Sequence, residues 1–344
     1  MKNNEFEQLT EGFLICLDYN KLRLKNIPNF IFLCGGETKR IEPDEEKAKT
    51  LPRYSNPQYK SMRGALIDVI HNHPELSGKI KLAEEYNDWL DHGVVGDLVD
   101  LEIAIADMSG SIVLFLEAPG AYAELGSFCT NEQISQKLIL IVNENINPGN
   151  ETSYINLGPI KHLTDNEKRV LRYSWDIEYS VSGHNRDKIK PLTSSTYNTT
   201  IDKINLIAEQ IIYETKAISV GEPKIDTSKL GHICFIIADL IKMFHALKIN
   251  EINGFVMSYF DKKERSLKTI KACIYILKKF NLITESHNGD TYYIPTEENV
   301  GFIKYYFTSN IAEYTKEKST SDISNKLLTY YHEHDKFRYR AIFQ

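Results

Sequence analysis

The sequence predicts an α/β fold, a parallel sheet flanked by helices, followed by a mainly helical C-terminal part. Three observations carry this. Short apolar runs (IPNFIFLCGG, KIKLA, SIVLFL, KLILIV) alternate with helical patterns in the first half of the chain. SIVLFL and KLILIV are continuously apolar, as in strands buried on both faces. After about residue 225 the signals turn helical, until Asn288-Gly289-Asp290 marks a tight hairpin.

Each element has its own warrant. Ile27 to Gly36 is a strand closed by two glycines. Residues 37–60 are charged and without period, and read as a loop or insertion. Ser61 to His73 has Met62, Leu66, Val69 and Ile70 at helical spacing. KIKLA reads as a strand, and VGDLVDLEIAIADMSG as a helix through Leu98, Leu101 and Ile105. SIVLFL (strand), AELGSFCTNEQISQ (helix) and KLILIVNE (strand) follow. Residues 147–163 are turn-rich and lead into a helical stretch that breaks at 216–228. KLGHICFIIADLIKMFHAL is then helical, and INEINGFVMSYF is a short helix with a turn at Asn253-Gly254. RSLKTIKACIYILKKFNLI presents Leu267, Ile270, Ile274 and Leu277 on one face. Three helices and a hairpin are the order of a winged helix-turn-helix. The expected domains are 1–165 for the sheet, 166–224 as a helical connector, 225–300 as the winged domain and 301–344 as an extension.

Bulk numbers narrow the class. A chain of 344 residues suffices for two domains, and 42% hydrophobic with 26% charged residues excludes disorder. The apolar runs fall far short of the roughly 20 residues of a membrane helix, so no membrane partner is expected. MKNNEFEQLT lacks the form of a secretory signal. Five cysteines without paired spacing imply no structural zinc or other metal, and a cytoplasmic protein with reduced thiols. Residues 225–344 carry 17 Lys+Arg and 14 Asp+Glu, a net +3, so the −6 of the whole leaves −9 on 1–224. The two parts are therefore expected to meet different partners.

FIFLCGG, DLEIAIADMSGSIVLFLEAPGAYAELGSF and SYINLGPI together resemble the effector proteins associated with bacterial retrons. Those have an N-terminal domain similar to nucleoside 2-deoxyribosyltransferases, a Rossmann-like fold, and a C-terminal winged helix. The likeness covers roughly 27–163 at motif level. It implies a toxic effector of anti-phage defence that cleaves the N-glycosidic bond of NAD or a related nucleotide or nucleoside. NAD would then be substrate, with no cofactor needed. The implied partners are a retron reverse transcriptase and its RNA–DNA product, and the implied assembly is a homo-oligomer. The alternative is a nucleotide-sensing, DNA-binding regulator without catalysis.

Breaking an N-glycosidic bond puts positive charge on C1′, which a carboxylate can stabilise or attack. The resemblance gives that role to Glu124 of the E-L-G motif. Its position beyond a central strand, near a predicted helix start, agrees. A plain first-turn glutamate is the alternative. Glu117, at the strand end, matches a family carboxylate that holds sugar hydroxyls, or is a solvated loop acid. Gly35 and Gly36 are expected to let a ligand approach the backbone. Cys34 beside them reads as a buried hydrophobe more than a nucleophile. Arg63 and Arg40 are the basic candidates for a phosphate, and Tyr122 for stacking on a base. Asn156 and Gly158 match a segment near the family's pocket. Glu102 matches a family glutamate, although a solvated helix face explains it as well. Glu84 and Glu85 are site liners or solvated acids. Asp107 reads as a cap or turn residue. In the C-terminal part, Lys262, Lys263, Arg265, Lys268 and Lys271 cluster at the start of the presumed recognition helix as nucleic-acid contacts, with Tyr292 and Tyr293 on the wing. The alternative is a solvated helix end.

Overall fold

The computed structural model describes residues 4–50, 57–86, 97–144, 152–175, 194–219, 221–260, 267–308 and 320–343. Contacts divide the chain into two units. One comprises Pro28–Glu84 and Ser109–Val220, the other Met1–Ile27, Glu85–Met108 and Gly221–Gln344. The helix Leu98–Met108 thus groups with the C-terminal part rather than with the strands that flank it in sequence.

The first unit is built on a five-stranded parallel sheet. Its elements in chain order are β1 (Ile31–Cys34), α1 (Met62–Val69), β2 (Ile80–Leu82), β3 (Ser111–Leu116), α2 (Pro119–Cys129), β4 (Leu138–Asn143), β5 (Arg169–Tyr173) and α3 (Ser194–Ala217). The strand order is β2-β1-β3-β4-β5. The pairing sets Cys34 beside Leu114 and Leu116 beside Val142, all in parallel register. Every residue of β1, β3 and β4 is buried, which explains their unbroken apolar sequences.

Helices cover both faces. On one, Leu33, Val113 and Ile139 form a core with Leu66 of α1 and with Ile204, Ile207, Ala208 and Ile211 of α3. The i, i+3, i+4, i+7 spacing of those α3 residues is the stripe a helix needs to lie on a sheet. On the other face Phe32 meets Phe128 of α2, with ring centroids 6.5 Å apart. The alternation of strand side chains sends Phe32 to the face opposite Leu33.

Two expectations need correction here. Residues 166–224 are not wholly helical, because β5 pairs with β4 at the sheet's edge. RVLRY is only half-buried, so an edge strand rich in arginine leaves no apolar run to read. The charged region 37–60 also carries structure. Arg40–Ile41 pairs with Gln58–Tyr59, and Tyr59 is buried in the sheet core.

In the second unit the helix Leu230–Phe244 is buried along almost its whole length. Leu98–Met108, Leu267–Lys279 and Thr320–His334 pack on it. Ile249–Phe255 continues as a π-helical turn, Val256–Phe260, so the turn expected at Asn253-Gly254 is helix. Hairpin strands Ile283–His287 and Thr291–Pro295 follow, turning at Gly289 with φ of 73°. A helix Asn4–Ile15 from the N-terminus packs against Thr320–His334. The chain closes with the helix Lys336–Phe343. Among the described residues no helix is long and apolar enough to cross a membrane.

Candidate active site

The strand order reverses at β1: its neighbour β2 lies on one side and β3 on the other. In open parallel sheets the crevice beyond the carboxyl ends at such a reversal is where ligands bind. Gly35-Gly36 follow β1 there, and Glu117 follows β3.

Gly35 has φ of 138°, in the region that favours glycine, and a Cβ on it would stand 2.8 Å from Phe115 Cβ. A Cβ on Gly36 would stand 2.7 Å from Ser61 Cβ and 3.0 Å from Glu117 Cγ. The room left by the missing side chains is therefore filled by the protein's own residues. Cys34 before them is buried in β1.

What fills that room is a polar cluster around the start of α1. Ser61 caps the helix, its Oγ accepting from Gly64 N at 2.9 Å and donating to Glu37 O at 2.8 Å. The next two N–H groups donate to Glu117, Met62 N to Oε2 at 2.9 Å and Arg63 N to Oε1 at 3.0 Å. A helix start leaves such N–H groups without intrahelical partners, and a carboxylate answers both their hydrogen bonds and their positive dipole end. Glu117 is only 6% exposed. Burial pushes its carboxyl above the ordinary range, against the N–H groups of Arg63, Met62 and Gly36, which pull it down.

Arg63 is buried, and its guanidinium spans two strand ends. Nη1 donates to Gly36 O at 3.0 Å and Nη2 to Leu33 O at 2.8 Å. The same two nitrogens grip both oxygens of Glu84 at 2.7 Å. Burial raises the Glu84 carboxyl, but hydrogen bonds and charge from Arg63 more than reverse this, leaving it below its ordinary value. The Arg63 Nη donors thus face protein acceptors, while its buried Nε has no hydrogen-bond partner among the described residues. Arg40 is likewise engaged, with Asp68 at 2.6 Å and Glu42 at 3.3 Å.

Glu124 is half-buried on α2, which begins two residues after Glu117 with Pro119 as its first residue. Ala121, Leu125, Phe128 and Cys129 form the helix's buried stripe. Glu124 is the sixth helical residue, about 8 Å along the axis from the start. The expected support from the helix dipole is therefore withdrawn, since that effect fades after the first turn. The sequence pattern missed the early start because the loop-like PGAY is itself helical, with proline in the one position where a helix welcomes it. Tyr122 is half-buried on the same helix. Asn156 and Gly158 lie in a π-helical turn, Asn156–Ile160, that packs on α2.

The structure thus gathers Gly35, Gly36, Arg63, Glu84 and Glu117, and carries Glu124 and Tyr122 on the adjoining helix. Ser61 was missed, although a serine three residues before Gly64 at the head of an apolar pattern is a capping signal. Glu85 is exposed. Glu102 is half-buried on Leu98–Met108, in the other unit. Asp107 lies within that helix, 3.6 Å from Lys229, rather than at a turn. Lys268 and Lys271 are exposed on Leu267–Lys279, whereas Lys262, Lys263 and Arg265 lie outside the described residues. Tyr292 and Tyr293 are buried, packed inward from the hairpin instead of displayed on it.

Comparison with known proteins adds to this geometry. A stretch of 151 residues, 43% of the chain, is 31% identical to the Escherichia coli protein named "Retron Ec86 putative ribosyltransferase/DNA-binding protein". Another of 166 residues, 48% of the chain, is 26% identical to the "Retron Ec73 putative ribosyltransferase/DNA-binding protein" of Escherichia coli. The chain spans about half the length of these relatives, 42% and 48%. Residues 59–285 match the family model described as STM3845 retron effector protein, and the chain therefore belongs to that retron effector family.

Proposed function

We propose that the sheet unit cleaves the N-glycosidic bond of NAD or a related nucleotide or nucleoside, with Glu124 as nucleophile. The observation that carries this is Glu124's place on α2, the helix that follows β3 where the strand order reverses. The relatives' names, which include ribosyltransferase, support the same class of chemistry.

A Glu124 carboxylate oxygen attacks C1′ of the sugar. The C1′–N bond breaks and its electron pair leaves with the base. From NAD that base is neutral nicotinamide, so its departure needs no proton. Water then attacks C1′ of the glycosyl ester. The ester oxygen recovers its electron pair, and the water's proton passes to solvent. A second nucleobase in place of water gives base exchange. Glu117, Arg63 and Glu84 serve as positioning residues that hold the strand ends and α1. Tyr122 and Asn156 are proposed to contact substrate, with the strand end Cys34-Gly35-Gly36 as a further part of the pocket, all within the sheet unit.

In the cell this activity would be the toxic arm of anti-phage defence, restrained or released by a reverse transcriptase and its RNA–DNA product. The helices and hairpin of the second unit are proposed to act as a winged helix, with Lys268 and Lys271 on nucleic-acid phosphates. Assembly as a homo-oligomer belongs to the same proposal. A regulator without catalysis is the second reading, favoured by those two exposed lysines and by the DNA-binding half of the relatives' names.

The test is mass spectrometry of NAD and nucleosides incubated with the protein, with and without a reverse transcriptase–RNA–DNA partner. Glu124→Gln should lower turnover by about a thousandfold or more while the melting temperature holds. Turnover retained in the folded variant removes Glu124 from the mechanism. No turnover of any nucleotide, with duplex binding that weakens in salt, favours the regulator.

A further inference from the structure

The helical unit holds a cavity of about 370 Å³, within the usual range for small-molecule sites. Its walls include the rings of Phe6, Phe255, Tyr259 and Tyr330. Phe6 comes from the N-terminal helix, Phe255 and Tyr259 from the 249–260 segment, and Tyr330 from the helix Thr320–His334.

The charges in this cavity sort into engaged and open ones. Arg338 is held by Glu251 at 2.6 and 3.0 Å, by Asp335 at 3.2 Å and by the Ala246 carbonyl at 2.8 Å. Its guanidinium also lies 4.6 Å from the centre of the Phe6 ring. Lys248 pairs with Asp290 at 2.7 Å and sits over Tyr292. Both cations are thus matched by acids and rings of the protein, which leaves little for an incoming anion. Glu7 and Glu11 line the same cavity from the N-terminal helix, exposed, and carry no ion pair among the described residues. Four residues apart, they share one face of that helix. The charge left over is negative, and the same lining carries four aromatic residues.

Aromatic side chains and carboxylates around a cavity of this size suit an organic cation. The lining already holds one guanidinium, that of Arg338, with the same two kinds of group. Gly254 also lines the cavity, and a Cβ there would meet nothing within 4 Å.

We propose that this cavity binds a guanidinium or primary ammonium group, offered by a free arginine-like cation or by the side chain of a partner protein. The site lies wholly in the helical unit and is independent of the glycosidic chemistry assigned to Glu124.

The test uses the full chain and three probes in calorimetric titration: acetyl-arginine amide, its neutral isostere acetyl-citrulline amide, and acetyl-Gly-Gly-Arg-Gly-Gly-amide. The arginine probes should bind, more weakly as salt rises, and acetyl-citrulline amide should not. Glu7→Gln with Glu11→Gln, and separately Gly254→Trp, should each weaken binding about tenfold or more. Tighter binding of the peptide assigns the site to a partner's side chain, and equal binding assigns it to a free cation. Should Gly254→Trp fail to fold, the pair of exposed glutamates still decides. Equal binding of the citrulline probe, no binding of either arginine probe, or affinity unchanged in folded variants overturns the proposal.

Discussion

The carboxylate of Glu117 meets two backbone N–H groups at the head of α1, and Gly36 is bare so that it can come that close. Removing the acceptor strands buried donors. Glu117→Ala should therefore destabilise the protein by about 2–4 kcal/mol in urea denaturation, and Gly36→Ala by about 1–3 kcal/mol. Because both changes disturb one packed cluster, their double mutant should fall short of the sum by more than independent sites would. Losses that add as if the two sites were distant would refute the shared cluster. The sequence motif placed Glu117 beside a strand end but could not show that its partners come from 55 residues earlier, because a backbone N–H has no sequence signature. Glu124 was legible as a residue and misread in its setting. The helix that carries it starts four residues sooner than its apolar pattern.

At the scale of elements, strands and helices with strong apolar runs were readable in the sequence, and those that depend on pairing were not. SIVLFL and LILIVN declare themselves because both faces are covered. RVLRY does not, since its arginines lie at the sheet's edge and only its neighbour β4 makes it a strand. The Arg63–Glu84 bridge joins the start of α1 to the end of β2 and gives this contact a pH dependence. The Glu84 carboxyl sits below its ordinary 4.5 in the folded chain. Its contribution is therefore present above that pH and lost as pH falls through the depressed value. Glu117 has the opposite sign: raised above 4.5, it takes up a proton more readily when folded. Stability it lacks at neutral pH returns as pH falls through its raised value. Denaturation midpoints followed into acid should show Glu84→Gln abolishing the loss and Glu117→Gln abolishing the gain. A Glu84→Gln curve parallel to the wild type would mean that the bridge contributes nothing.

On the scale of the whole molecule, the charge difference between −9 on residues 1–224 and +3 on 225–344 is the feature read most directly from sequence. A basic surface binds phosphates through counterion release, without reading bases. Lys268→Gln and Lys271→Gln should each weaken binding of unrelated duplexes alike and lower the salt slope by about one. A change confined to one sequence would point instead to base contacts. How the units group was hidden from the sequence, because Leu98–Met108 reads as one more sheet helix until its packing on Leu230–Phe244 is seen. The sheet's two outermost strands have a last consequence. β2 is only three residues long with Lys81 at its middle, and β5 carries Arg169 and Arg172. Short, cationic margins of this kind discourage a foreign strand from adding to the ladder. A chain kept at high local concentration with copies of itself is thereby guarded against amyloid-like stacking, and any orderly assembly is left to side-chain surfaces.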